Sequence, residues 1–478
     1  MTQLTLTSLD GSPQTVDSTA IQELQQHLRG QLLLPGDEKY ENARRIWNGA
    51  HDKRPGLIVQ CTGAADVIDS VNFARKHSLL VSIRGGGHNV AGTALCEGGL
   101  LIDLSLLRGV HVHPDQRMAD VGPGATLGDL DRETQAFGLV APAGIVSTTG
   151  VAGLTLGGGM GWVRRKYGMT IDNLLSVDIV TADGSFLRAS EEENQDLFWA
   201  VRGGGGNFGV VTSFRFRLHP LGPIVYFAAP MYPIERAPDI LPRWRDFCEG
   251  TPDEVSSFFI FQTLPAAEAF PKEVWNKEVV ALPTMYTGSV EEGEQILQPL
   301  RELGETVLDL STPLPFRALQ QAFDWIFPSG HRYYWKTTTL PVLDDVAINA
   351  LLEVGTKRSS PGTVVGVWQM GGAISKVGDE ATGYGPRSDP WTVNIDSGWS
   401  DPSEDDRHIA FTREGWKHLQ AVSSGGMYLH YGALEKEDQI RAAYGPIYDR
   451  LAEIKARYDP MNLFRVNQNI RPKTEAAV

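Results

Sequence analysis

At 478 residues, 42% of them hydrophobic and 21% charged, the chain is long enough for two or three domains with a large core and is not composed like a disordered protein. Its formal net charge of −15 disfavours nucleic acid and anionic membrane as partners, because both select basic surface. Cys61, Cys96 and Cys248 are too widely spaced for a metal site or a disulfide framework, and neither a leader sequence nor a membrane-length apolar run is present, so no metal and a cytoplasmic location are expected.

The chain opens with a β-like stretch around Leu4 and Leu6 and a helix-like segment over 21–28. A buried strand is predicted over 54–59, a helix over 64–77 and a second strand over 79–83, which makes a β-α-β unit. That unit runs into Arg84-Gly85-Gly86-Gly87-His88-Asn89. Glycines there let backbone N–H groups approach an anion such as a pyrophosphate, and they hold His88 beside it. Read alone, the same run is also a glycine-rich loop with an incidental histidine. Short strands follow at 100–104, 110–112 and 118–121, then an amphipathic helix over 127–137. A second glycine-rich run spans 141–161. A strand over 174–181, a turn at Asp183-Gly184 and a short helix over 196–201 lead to the third run, Gly203 to Gly209, and a strand over 210–218.

Residues 219–223 read as a linker. Beyond it, aromatic strands (258–261, 333–339, 363–370, 391–395) alternate with helices (238–247, 290–303, 344–354), as in an α+β domain of a sheet with covering helices. After 425 another aromatic strand over 428–431 and a helix over 444–458 are predicted. The third run contains a formal GxGxxG, but it follows a helix and enters a strand, the reverse of a dinucleotide-binding fingerprint, so a Rossmann fold is rejected.

Taken together, the three glycine runs resemble the FAD-binding domain of the vanillyl-alcohol oxidase and p-cresol methylhydroxylase type, and most of all the bacterial berberine bridge enzyme-like oxidoreductases. The matching blocks are Arg84 to Asn89, Gly98 to Ser105, Gly150 to Gly161, Gly168 to Asn173, Thr181 to Gly184 and Asp196 to Ala200. Tyr458 to Phe464 and Asn467 to Ile470 are similar to the family's closing segment. The resemblance implies an α+β, two-domain fold: an FAD-binding domain over 1–222, a substrate domain over 223–424 built on an antiparallel sheet covered by helices, and a segment over 425–478 returning to the first domain. It also implies FAD joined covalently to His88. Relatives with a second link use a cysteine where Val146 stands, so one link is expected.

The resemblance further assigns pyrophosphate amides to Arg84, Gly85, Gly86, Gly87, His88 and Asn89 and to Thr149, Gly150 and Gly153. Close backbone approach to the flavin or adenosine falls to Gly157, Gly158, Gly159 and Gly161. Gly209, Val210 and Val211 fall at the adenine end, and Asn467 and Asn469 near the isoalloxazine ring. Gly92, Gly144, Asp172 and Asn173 complete the expected cofactor contacts.

The expected reaction removes a hydride from a CH–OH or CH–NH carbon of a small molecule such as a sugar, an alkaloid or another secondary metabolite. O2 is the expected electron acceptor, giving H2O2. A dehydrogenase using another acceptor and a flavin-binding protein without turnover are the alternatives. The proton needs a base within hydrogen-bond reach. Candidates are Tyr428, His430 and Tyr431, then Tyr384 and Tyr444. Strand alternation over 428–431 would put Tyr428 and His430 on one face and Tyr431 on the other, which favours the first two. Trp325, Tyr333, Tyr334, Trp335, Trp368 and Trp399 make the middle domain rich in aromatic rings without fixing a role for any of them.

Overall fold

The computed structural model describes residues 3–473. A hairpin of Gln3–Thr7 and Pro13–Asp17 precedes a four-stranded sheet in the order Gln31–Leu33, Leu57–Gln60, Leu100–Asp103, Val81–Arg84. Its last three strands are parallel, with the helix Ala64–Lys76 as crossover. Leu57, Ile58, Leu100, Leu101 and Ile102 are all buried, as both-face coverage of a parallel sheet requires. A second, five-stranded antiparallel sheet runs in the order Phe186–Ser190, Leu174–Val180, Val210–Arg217, Met118–Val121, Val110–His113.

From Ile224 onward the chain builds a ten-stranded sheet. Its alternation decides where the site lies. Phe259, Phe261, Val365, Val367, Trp391, Val393 and Ile395 point to one face and pack under the helices Ala237–Glu249 and Asp345–Gly355. Phe258, Ile260, Val364, Trp368, Tyr333 and Trp335 point the other way and share a core with Trp47, Val90, Met160 and Trp162 of the first domain. Asn394 and Asp396 lie on the face opposite Val393 and Ile395, with Asp396 paired in register to Trp335.

The helix Asp405–Leu419 and the strands Ile224–Ala228, Pro230–Pro233, Glu278–Ala281 and Thr284–Tyr286 have no counterpart in the sequence reading. The helix expected over 444–458 starts at Tyr448 and ends at Tyr458, and a separate helix, Glu437–Tyr444, precedes it, the two divided at Gly445-Pro446, where Gly445 takes φ +56°. The supposed linker is docked, with His219–Pro220 pairing to Leu139–Val140.

The strand expected over 428–431 is a turn. Tyr431 N–H donates to Tyr428 C=O (3.2 Å), and Tyr428 N–H goes to the Thr337 hydroxyl (2.9 Å) instead of a ladder. The last segment is anchored by Lys455, fully buried, which donates to Asp459 (2.6 Å) and to the carbonyls of Asn207 and Phe464 (2.6 and 3.0 Å).

Candidate active site

A long cavity separates the glycine runs from the large sheet. Gly85, Gly86, Gly87, His88 and Asn89 line it, with Gly144, Thr149, Gly150 and Gly153, then Gly209, Val210 and Val211, and Asn467. Phe327, Trp335, Trp368, Tyr428 and Tyr431 close the end toward the sheet. The first two runs cross at Gly86 and Gly150, where a Cβ on either would collide with the other's backbone.

Other expected cofactor residues have protein neighbours. The Arg84 guanidinium turns away to Asp103 (3.0 and 2.5 Å) and to the Arg45 carbonyl (3.1 Å). Gly92 sits in a φ +65° turn against the His51 ring. Gly157 makes room for His430, Gly158 for Tyr384, Gly159 for Thr170, and Gly161 for the Ala143 carbonyl, so this cluster packs against protein. Asp172 holds Arg387 (2.7 and 2.8 Å), while Asn173 binds the Tyr167 carbonyl (2.8 Å) and the His219 ring (2.6 Å). Asn469 is absent from the lining, although its Oδ1 is buried near Asn467 in sequence.

The cavity suits FAD. Among the described residues no charged side chain lines it, so anion binding falls to backbone N–H groups of the glycine runs. His88 Nε2, Asn467 Oδ1, Asn469 Oδ1 and Trp335 Nε1 are buried without a hydrogen-bond partner in the described chain. Unpaired buried polar atoms cost free energy, so a ligand that supplies partners is the expected remedy. Burial also pushes the His88 imidazole down to about 4, which keeps it neutral.

At the sheet end the turn reverses the expected alternation. The Tyr431 ring stacks on Tyr428 (5.8 Å between centroids), so these two share a side. Tyr431 Oη donates to Asp396 Oδ2 at 3.0 Å, and Asn394 Nδ2 donates to the same oxygen. Asn394 Oδ1 in turn accepts from the Trp368 indole (2.5 Å). Burial raises Asp396 to about 8 and holds Tyr431 well above the usual phenol range. Tyr428 Oη accepts the Gly159 N–H (3.0 Å), and burial raises it to about 12.

His430 also lines the cavity, but it points to Gly157 and Gly205 and meets Tyr444 Oη at 3.2 Å, with its pKa pushed down by burial to about 4. Tyr444 lies behind it in the first domain's core, outside the lining. Tyr384 packs beside Tyr428 (6.0 Å), also outside the lining. The structure thus brings Tyr428, Tyr431 and His430 to the cavity, leaves Tyr384 and Tyr444 behind it, and adds Asp396 outside the lining as the partner of Tyr431. One sequence signal points to Asp396: the polar Thr392, Asn394 and Asp396 alternate with the apolar Trp391, Val393 and Ile395 along one strand.

This two-domain frame around a cavity walled by glycine runs is that of a flavin-dependent oxidoreductase. Residues 55–190 match the FAD binding domain, and residues 428–471 match the berberine and berberine-like domain. The chain therefore carries both domains that mark the berberine-like FAD-linked oxidoreductases and is similar to them over nearly its whole length. A FAD-linked oxidoreductase of Dictyostelium discoideum is 29% identical over 459 residues, 95% of this chain and 97% of its own. The (R)-6-hydroxynicotine oxidase of Paenarthrobacter nicotinovorans is 29% identical over 464 residues, 93% of this chain and 97% of its own. The crystal structure of 6-hydroxy-D-nicotine oxidase from Arthrobacter nicotinovorans superposes with a TM-score of 0.82 at 29% identity, covering 93% of this chain and 98% of that one. Chitooligosaccharide oxidase shares the fold at 23% identity, with a TM-score of 0.83 over 95% of this chain and 100% of its own. Among the described residues no helix is long and apolar enough to cross a membrane.

Proposed function

We propose that the enzyme oxidises a CH–OH or CH–NH carbon of a small, ring-bearing molecule and passes the electrons to O2, giving H2O2. FAD, held by the glycine runs and joined once to His88, supplies the hydride acceptor. The observation that carries this reading is the Tyr431–Asp396 pair at the aromatic end of the cavity. Tyr431 takes the substrate's O–H or N–H proton while its own moves to the Asp396 carboxylate, with Asn394 holding that carboxylate in place. Trp335, Trp368 and Tyr428 offer flat faces, and the unpaired Trp335 N–H offers a donor to a substrate oxygen. The lack of charged lining among the described residues supports an uncharged substrate, and the formal net charge of −15 speaks against a nucleic acid or membrane partner. The buried free Cys61, Cys96 and Cys248 fit a reducing compartment, which supports a cytoplasmic location.

The test is anaerobic stopped-flow with a panel of aryl carbinols, cyclic amines and sugars, followed by air reoxidation and H2O2 assay. With a substrate that bleaches the flavin, Tyr431→Phe should slow reduction about 10²–10⁴-fold at unchanged FAD content. A rate within about threefold of the unsubstituted enzyme would remove Tyr431 as the base.

A further inference from the structure

The His88 ring does not stand alone. It stacks on Trp47 at 4.1 Å between centroids and 15° between planes. Trp47 stacks in turn on Tyr333, at 4.1 Å and 3°. The middle residue is held by hydrogen bonds of its ring and its backbone. Its indole N–H donates to the Phe327 carbonyl (2.9 Å), its backbone N–H to the Gly87 carbonyl (3.1 Å), and its carbonyl accepts from Gly330 N–H (2.9 Å). The neighbouring Asn48 side chain bridges the Val90 and Tyr333 carbonyls (2.8 and 3.0 Å). One short segment of the first domain therefore ties the His88 loop to the second domain's sheet.

We infer that Trp47 is a positioning residue for covalent attachment of FAD: it fixes the plane of the His88 imidazole so that a ring nitrogen faces the flavin. The inference rests on the reading that His88 carries the link. Joining the two forms one C–N bond, removes one C–H hydrogen from the flavin methyl group and one N–H proton from the imidazole, and leaves two electrons that O2 takes up as H2O2. An imidazole free to rotate about χ1 and χ2 spends less time in the reactive orientation, as with any nucleophile that loses its orienting partner.

The test compares purified enzyme carrying Trp47→Phe, Trp47→Leu and Trp47→Ala. Total bound flavin, flavin retained in the acid-precipitated pellet, and melting temperature are measured on each. The unsubstituted enzyme and Trp47→Phe, which keeps a flat ring, should retain nearly all flavin in the pellet. Trp47→Leu and Trp47→Ala should bind FAD yet retain at least threefold less. Tyr333→Leu, which leaves Trp47 in place but unbacked, should give an intermediate fraction and serves if the Trp47 variants fold poorly. Equal retention by Trp47→Leu and Trp47→Phe, or an unaltered fraction in Tyr333→Leu when the others do not fold, overturns the inference. If the unsubstituted enzyme itself releases its flavin into acid, the His88 link fails and the inference falls with it.

Discussion

Burial holds the Asp396 carboxyl at about 8, and the proposed proton transfer requires the carboxylate, since only that form accepts the Tyr431 proton. Flavin reduction should therefore rise with pH, about tenfold per unit well below 8, and level off above it. Asp396→Asn keeps the hydrogen bond's shape but removes the acceptor. It should lose about 10²–10⁴ in the reductive rate and flatten the pH profile, both read by anaerobic stopped-flow. His430→Ala should leave that rate within about threefold, because the ring faces Gly205 and Tyr444 instead of the proton pair. Sequence reasoning reached Tyr431 as a candidate and then set it on the wrong face. Asp396 escaped it because the partners are separated by 35 positions and only the fold joins them.

At the scale of elements, the glycine runs were legible for a physical reason: two loops that cross with backbones in contact admit no side chain. Gly86→Ala or Gly150→Ala puts a methyl group into the opposing backbone. Either should cost about 1–3 kcal/mol and spread the runs. The check is FAD content per chain by absorbance, which should drop well below that of the unsubstituted enzyme. What the runs touch was less legible. Gly157 to Gly161 read as a cofactor cradle, yet their neighbours are His430, Tyr384, Thr170 and Ala143, because a glycine signals close approach without naming the partner. The turn at Tyr428 to Tyr431 misled for a related reason. A four-residue aromatic alternation looks like a strand, but its backbone groups are satisfied by Thr337 and by the turn itself.

Across the whole molecule, the two domains are welded by Arg164. It is fully buried, donates to the carbonyls of Gln369, Gly161 and Ser257 (2.9, 3.0 and 2.8 Å), and lies over Phe258 at 4.3 Å. Lysine keeps the charge but lacks the fork that reaches three acceptors at once. Arg164→Lys should strand at least one carbonyl, at about 1–3 kcal/mol each, and lower the urea midpoint measured by fluorescence. A shared core on the cavity side of the sheet makes a single unfolding transition the expected form of that curve.

The return of the chain after residue 425 also sets a schedule. Tyr428, Tyr431 and Asn467, all on the cavity wall, are synthesised only after the whole intervening sheet, and Lys455 cannot clamp Asn207 before then. A nascent chain on the ribosome thus carries every glycine run early but cannot enclose a flavin until its last stretch emerges. Loading of the cofactor is then expected to report completed synthesis, because a chain stopped anywhere before residue 428 lacks Tyr428, Tyr431 and Asn467 of the cavity wall.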